Sequence, residues 1–207
     1  MLEDAHRSVR ERVPFEKKLI NLGDAADRAE LEGIWPFVKF PVIRDHARQR
    51  DVAETSIIIE YLDRYWPGVQ PLIPVDWEDA LEVRRWDRIL DNYVQAPMQQ
   101  LVADRMRSTN LDLTRERSLL STAYRLLDDH LASRTWIGRQ GFSLADCAAA
   151  PGLFYASTIE PFADDLGHLR EYFRRLTQRA SFQRVIEEAK PYFEFYPFAE
   201  RIPARFR

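Results

Sequence analysis

Three consecutive polar residues, Glu54-Thr55-Ser56, place a carboxylate and two hydroxyls directly before a stretch with helical spacing. The first backbone N–H groups of a helix have no partner within it, and the positive end of the helix dipole lies there, so such a place binds a carboxylate or a phosphate. A hydroxyl adds a hydrogen-bond donor, and Glu54 can pair with an ammonium group. Because a carboxylate and an ammonium on one carbon define an amino acid, the tripeptide predicts a site for an amino-acid head group. The alternative is that Thr55 or Ser56 only caps the helix.

A β-hairpin and a helix are predicted to position this tripeptide. Phe40–Ile43 forms a short apolar strand with proline near its start, where the missing N–H is tolerated. The polar residues Asp45–Arg50 then make the connection, and Val52-Ala53 is the returning strand. Apolar residues at helical spacing predict a helix over Ser56–Trp66, which Pro67-Gly68 ends.

The segment from Lys39 to Ile43, followed by a short hairpin and Glu54-Thr55-Ser56, resembles the glutathione-binding half of a glutathione transferase. In that family the proline follows a cis peptide bond, and the residue before it offers its backbone to the cysteinyl part of glutathione. A Glu-Ser pair at the helix start binds the γ-glutamyl head group. The resemblance therefore implies a cis bond between Phe40 and Pro41. It also implies a glutathione-binding set, which consists of Lys39, Phe40, Pro41, Glu54 and Thr55.

The resemblance implies a two-domain fold of class α+β/α. A thioredoxin-like N-terminal domain, lacking its first strand, is expected over residues 1–71, and an all-α helical C-terminal domain over residues 72–207. Pro67–Trp77 contains three prolines and is predicted to be the linker. Val13–Ile20 is predicted to be a strand. In the family a strand, a catalytic loop and a helix precede the counterpart of that segment, and the twelve residues available here are too few for them.

No catalytic residue is assigned from the sequence. Catalytic transferases place a serine, tyrosine or cysteine near the start of the first helix, where it hydrogen-bonds the glutathione sulfur and favours the nucleophilic thiolate. Ser8 is the only hydroxyl or thiol residue before Thr55, and it lies too close to Val13 to occupy that loop. Two functions therefore stay open. One is conjugation of the glutathione thiol to an electrophilic small molecule, if the protein is longer than this chain. The other is a non-catalytic member of the family that binds a peptide-like ligand or a partner protein.

Two features of the second half of the chain bear on function. Apolar residues at helical spacing predict a helix from Trp86 to Val102, which Pro97 should bend or interrupt. Three residues on this helix are candidates to line the apolar cleft for the electrophile, although core packing explains them equally well: Trp86, Tyr93 and Met98. Further on, Ser143 and Asp146 have the spacing of a capping box at the start of a helix, and their expected role is structural.

Composition excludes several other classes of protein. The net charge of −3 and the pI of about 5.9 give no support for nucleic acid or an anionic membrane as partner. No apolar run approaches the roughly 20 residues of a membrane-spanning helix, and the charged N-terminal segment is unlike a signal peptide. A single cysteine, Cys147, excludes an internal disulfide and a Cys-x-x-Cys pair. We expect a cytoplasmic protein without a metal, and the resemblance implies a homodimer.

Overall fold

The chain forms two compact units. The computed structural model describes residues 15–207. The first unit ends at Ile73 and the second runs from Pro74 to Arg207, so the division falls within the stretch predicted to be a linker. Ser8 and the other residues before Phe15 lie outside the described residues, as does the start of the strand predicted over Val13–Ile20.

The first unit contains a helix, a hairpin and a second helix. In chain order the elements are α1 (Ala25–Ile34), β1 (Val42–Asp45), β2 (Arg50–Ala53) and α2 (Thr55–Tyr65). The two strands are antiparallel, with Val42 opposite Ala53 and Asp45 opposite Arg50. A small core joins the hairpin to α2, since Val52, Ile58 and Tyr61 are buried together. This unit is the part of the fold that carries the predicted glutathione-binding residues.

The strand predicted over Val13–Ile20 is wrong for its described part. Residues 15–20 have no regular secondary structure, and Phe15 and Leu19 are 51% and 81% exposed. A strand needs a neighbouring strand, and the sheet formed by the described residues consists of β1 and β2 alone. Three charged residues, Glu16-Lys17-Lys18, interrupt the apolar pattern and give this segment little to bury.

A buried carboxylate ties the hairpin to α2. Asp45 is 8% exposed and accepts hydrogen bonds from the Tyr61 hydroxyl at 2.7 Å and from the backbone N–H of Arg48 at 2.9 Å. These donors hold the pKa of Asp45 below its ordinary value, with the Tyr61 hydroxyl as the largest cause. The Arg48 guanidinium also lies 4.2 Å from the centre of the Tyr65 ring. The position of α2 on the hairpin is therefore fixed by polar as well as apolar contacts.

The second unit is helical throughout its regular structure. Its α-helices are α3 (Trp77–Leu90), α4 (Ala96–Arg107), α5 (Thr114–Leu131), α6 (Leu144–Ile159), α7 (Gly167–Thr177) and α8 (Ala180–Ala189). Helix α6 packs against α3, α4 and α7, and most of its residues are buried. Three short 3₁₀ segments follow α8: Lys190–Phe195, Ala199–Arg201 and Ala204–Phe206. Within residues 15–207, none of the helices combines the length and the apolar character needed to cross a membrane.

A π-helical turn, Asp91–Gln95, joins α3 to α4. The N–H of Ala96 donates to the carbonyl of Asp91, five residues back, and Pro97 follows with no N–H to donate. The predicted interruption near Pro97 is therefore confirmed. The predicted start of this helical region is wrong, because α3 begins at Trp77, where the Asp76 carboxylate accepts a hydrogen bond from the N–H of Asp79. Trp77 belongs to the helix and not to the linker.

Candidate functional site

The register of the hairpin brings the two predicted halves of the glutathione site to one place. Val42, the first residue of β1, lies opposite Ala53, the last residue of β2. Pro41 precedes Val42 and Glu54 follows Ala53, so both leave the sheet at the same end. All five predicted glutathione-binding residues are exposed there: Lys39, Phe40, Pro41, Glu54 and Thr55. The antiparallel pairing thus brings the Lys39–Pro41 segment close to Glu54 and Thr55, which lie at least 13 positions later in the sequence.

The segment before β1 has the predicted backbone. The peptide bond between Phe40 and Pro41 is cis, which confirms the prediction made from the resemblance. Phe40 is 64% exposed. Val38, two residues earlier, has a φ of 52° although it is β-branched, and its N–H donates to the carbonyl of Trp35 at 2.9 Å. Left-handed backbone is unusual for such a residue, and no sequence pattern indicates it here.

Glu54 begins α2 in a strained conformation. Its φ of 68° and ψ of 120° lie outside the regions that residues other than glycine favour, at a cost of about 1–3 kcal/mol. Its carbonyl accepts from the N–H of Ile58 at 2.8 Å, but its side chain makes no capping hydrogen bond to the helix. Thr55 and Ser56 are the first two residues inside α2. The cap position of α2 is therefore held by Glu54 and by neither hydroxyl residue.

The charges around this helix start suit an amino-acid ligand. The first turn of α2 contains no acidic residue, so no carboxylate within the helix offsets the positive end of its dipole. A ligand carboxylate can therefore bind at the N–H groups and the Thr55 hydroxyl, and Glu54 can bind an ammonium group. Lys39 adds an exposed cation at the same end of the hairpin. Within residues 15–207, no three His, Cys, Asp or Glu side chains are grouped to hold a metal ion.

The start of α6 is the second predicted feature, and it is built differently. Ser143 is the N-cap, and a capping box joins it to Asp146, which is fully buried. The Asp146 carboxylate accepts from the N–H of Ser143 at 2.8 Å, from the N–H of Ile137 at 3.0 Å and from the Tyr172 hydroxyl at 2.8 Å. Burial raises the pKa of Asp146, and these donors oppose the rise. Every contact points inward, so this end of α6 has a structural role.

Comparisons with known proteins show similarity to glutathione S-transferases. Residues 91–180 match the family model of the glutathione S-transferase C-terminal domain. Glutathione S-transferase U25 of Arabidopsis thaliana is 23% identical over 164 residues, which cover 77% of this chain and 72% of that protein. A probable glutathione S-transferase of Glycine max is 25% identical over 118 residues, which cover 56% of this chain and 49% of that protein.

Solved structures extend the similarity over most of the chain. A glutathione S-transferase from Methylobacillus flagellatus, solved with GSH bound, has 25% identity and a TM-score of 0.68, with 87% of this chain and 92% of that chain covered. A delta-class glutathione transferase from Nilaparvata lugens has 16% identity and a TM-score of 0.78, with 97% and 93% covered, and shares the fold. The chain is similar to glutathione S-transferases over most of its length, and its second unit contains the region that matches their C-terminal domain. Its fold is the one these proteins have, a thioredoxin-like N-terminal domain followed by an all-helical C-terminal domain.

The residues predicted to line a cleft for the electrophile fall into two groups. Trp86 and Met98 are 2% and 4% exposed and lie in the core of the helical unit, where the Trp86 ring packs against His130 at 4.4 Å. Side chains so fully buried cannot form the wall of an open cleft, so core packing is the correct alternative for both. Tyr93 lies on the π-helical turn and is 48% exposed. Its place in a cleft stays a prediction.

Sequence reasoning missed two features of the first unit. The Asp45–Tyr61 hydrogen bond joins residues 16 positions apart, and no local pattern indicates it. Phe37, 71% exposed, packs edge-on against Trp35 with ring centres 5.1 Å apart. The only sequence signal for that loop is the density of aromatic residues around Pro36.

Proposed function

We propose that this chain binds glutathione at the shared end of the hairpin and α2, and conjugates the glutathione thiol to an electrophilic small molecule. The γ-glutamyl carboxylate binds at the first N–H groups of α2 and the Thr55 hydroxyl, and Glu54 pairs with the γ-glutamyl ammonium. The backbone of Phe40 beside Pro41 holds the cysteinyl part. Lys39 supplies a cation for the glycine carboxylate at the other end of the tripeptide.

The conformation of Glu54 is the observation that carries this proposal. A residue that pays a backbone strain of about 1–3 kcal/mol and forms no capping hydrogen bond does not serve the stability of its helix. An exposed carboxylate held in this way, beside an open helix start, is suited to bind a ligand. A family relative from Methylobacterium radiotolerans, 25% identical with a TM-score of 0.69, was solved in complex with glutathione sulfonate, which agrees with such a ligand.

The conjugation itself needs no cofactor beyond glutathione. The sulfur of the cysteinyl part donates an electron pair to the electrophilic carbon and forms the new C–S bond. The leaving group departs with the electrons of the bond that breaks, and the thiol proton passes to solvent. The thiolate is the reactive form, so a group that lowers the pKa of the thiol accelerates this step. The similarity to glutathione S-transferases further supports a homodimer in the cytoplasm as the working form.

A glutathione-binding protein without transferase activity is the second candidate. Between Phe15 and Glu54 the sequence contains no serine, threonine, tyrosine or cysteine to hydrogen-bond the sulfur. A free thiol is only a few per cent ionised near pH 7, so binding alone gives slow conjugation. The two candidates share the binding site and differ only in turnover.

The binding site is tested with Glu54→Gln, which removes one charge and keeps the shape of the side chain. We expect the affinity for glutathione, measured by titration calorimetry, to fall about tenfold to a hundredfold, because a charge-assisted contact is lost. Glu32→Gln, at an exposed position of α1, is the matched control and should bind as the parent does. Equal affinity of the Glu54 variant and the parent would contradict the assignment.

Turnover is tested with 1-chloro-2,4-dinitrobenzene, whose conjugate with glutathione absorbs light. Conjugation by the parent, lost together with glutathione affinity in the Glu54 variant, supports the transferase. Glutathione binding without conjugation above the uncatalysed rate supports the non-catalytic candidate.

A further inference from the structure

Val38, in the loop that leads into the proposed glutathione site, has a backbone conformation that its residue type disfavours. Its φ is 52°, and the residue is half-buried directly before Lys39. Within residues 15–207, five residues other than glycine have a positive φ, and Val38 is the only β-branched one among them. A branched side chain clashes with the backbone in the left-handed region. Such strain persists only where the surrounding structure imposes it, and it is concentrated at functional sites.

A tight turn over residues 35–38 imposes this conformation. The N–H of Val38 donates to the carbonyl of Trp35 at 2.9 Å. Pro36 occupies the second position of the turn, where the fixed φ of proline is favoured. The Phe37 ring packs edge-on against the Trp35 ring, with centres 5.1 Å apart. These contacts fix the chain before Val38, so the φ of Val38 sets the direction in which Lys39 follows.

Lys39 lies about one tripeptide length from Glu54. The strand pairing of the hairpin brings Pro41 and Glu54 side by side, and Lys39 is two residues before Pro41. Neighbouring strands are about 4.8 Å apart and two extended residues span about 7 Å, so Lys39 is within roughly 12 Å of Glu54. An extended tripeptide is about 10 Å long. A tripeptide whose first residue binds at Glu54 can therefore place its last carboxylate at Lys39.

The charges at the two ends of this span match glutathione. Glu54 is an exposed carboxylate at one end. Lys39 is an exposed cation at the other end, and within the described part of the chain its ammonium forms no ion pair. Glutathione carries an ammonium in its γ-glutamyl part and a lone carboxylate at its glycyl end. Lys39 is therefore free to bind the glycyl carboxylate if the backbone before it points the side chain that way.

We infer that Val38 is a positioning residue for the glycyl end of glutathione. Its left-handed backbone directs Lys39 toward the glycyl carboxylate, so that the site selects peptides in which this carboxylate is free. The inference rests on the proposed glutathione binding and adds a determinant of its specificity. A charge-assisted contact to Lys39 contributes about tenfold in affinity, so a ligand whose glycyl carboxylate is blocked should bind more weakly by about that factor.

The inference is tested by titration calorimetry on the full chain with glutathione and with glutathione ethyl ester, whose glycyl carboxyl is esterified and uncharged. The parent should prefer glutathione about tenfold, and Lys39→Gln should lower this ratio of affinities to near one. Val38→Pro fixes φ near −65° and removes the N–H that closes the turn. Its ratio should also fall to near one, through weaker binding of glutathione and unchanged binding of the ester. Val38→Gly adopts a φ of 52° without strain and should keep the parent's ratio.

Gln49→Pro is the matched control for the loss of a left-handed residue. Gln49 has a φ of 50° in the connection between β1 and β2, at the other end of the hairpin from Glu54. This variant should be destabilised in a urea titration and should keep the parent's ratio of affinities. The folding of every variant is checked in the same way. If Val38→Pro does not fold, Lys39→Gln and Val38→Gly still decide, because either can give the contrary result.

The contrary results are distinguishable. If the parent or Lys39→Gln binds both ligands with the same ratio, Lys39 does not recognise the glycyl carboxylate, although glutathione binding through Glu54 stands. If Val38→Pro keeps the parent's ratio or weakens both ligands equally, the backbone of Val38 does not position Lys39. If Val38→Gly loses the preference for glutathione, the valine side chain is needed and not its left-handed backbone. If the parent binds neither ligand, the proposed function fails and the inference fails with it.

Discussion

The helix starts of α2 and α6 differ in where their hydrogen bonds go. At α6 the cap residue Ser143 and the carboxylate of Asp146 are buried, and each bonds to groups inside the same unit. At α2 the cap residue Glu54 and the residue after it, Thr55, are exposed, and the Glu54 side chain leaves the helix uncapped. The backbone at Ser143 is extended and unstrained, whereas that at Glu54 has a φ of 68°.

This difference separates residues that stabilise the fold from residues that we propose to bind a ligand. A satisfied helix start lowers the free energy of the folded chain, and a capping residue contributes about 1 kcal/mol. An open and strained start raises that free energy, and backbone strain of this kind is concentrated at functional sites. The same kind of helix end therefore predicts opposite results when it is mutated, large losses of stability at α6 and losses of binding at α2.

The largest effect is expected for Asp146→Ala. The change leaves the buried N–H groups of Ile137 and Ser143 without an acceptor, and each such group costs about 1–3 kcal/mol. The free energy of unfolding, measured by urea titration with circular dichroism, should fall by roughly 3–5 kcal/mol. Asp129→Ala, on the exposed side of α5, is the control and should stay within about 0.5 kcal/mol of the parent. A fall of less than about 1 kcal/mol in the free energy of unfolding of Asp146→Ala would contradict a stabilising role for the start of α6.

Glu54→Gly should change stability in the opposite direction. Glycine adopts a φ of 68° without strain, and after the entropy it adds to the unfolded chain we expect a gain of roughly 1 kcal/mol. Affinity for glutathione should fall at least as far as in Glu54→Gln, because the carboxylate is gone. Gln49→Gly, at a φ of 50° in the hairpin turn, is the matched control. It should gain stability and keep glutathione binding, so a loss of binding there would contradict a specific role for Glu54.

The smallest effect is a pH dependence at the other end of α2. The pKa of Asp45 is lower in the folded chain than in the unfolded chain, so the unfolded chain binds more protons as the pH falls below about 4. The stabilising effect of Asp45 is therefore present above that pH and is lost below it. Urea titrations of the parent and of Asp45→Asn should differ at pH 7 and converge near pH 3. If the two free energies of unfolding differ by the same amount at pH 7 and pH 3, the Asp45–Tyr61 hydrogen bond is not the origin of the difference.

The sequence predicted those elements whose signals are local. Apolar residues at helical spacing indicated α2, the region of α3 and α4, and the cap at Ser143, since a helix forms between neighbours in the chain. The hairpin also followed from a local pattern. The resemblance added the cis bond before Pro41, which nothing in the local sequence determines.

The features that the sequence did not predict depend on contacts with residues that are distant in the sequence. The segment after Val13 has strand-like residues, but a strand is defined by its neighbour, and residues 15–20 have none in the sheet of the described residues. Trp86 and Met98 looked equally suited to a cleft or a core, and only packing against other helices decided between them. The backbone strain at Glu54 was likewise invisible, because side-chain type does not reveal a φ angle that the surrounding fold imposes.

The π-helical turn between α3 and α4 changes the direction in which the side chains of α4 point. An α-helix advances about 100° per residue, and a turn closed over five residues instead of four holds one residue more. Met98 and Leu101 follow this turn in α4 and are buried in the core. A sequence alignment that places a one-residue gap within Asp91–Gln95 would shift every assigned position in α4 by one residue, or about 100° around the helix axis. Surface residues of α4 would then be assigned to its buried face.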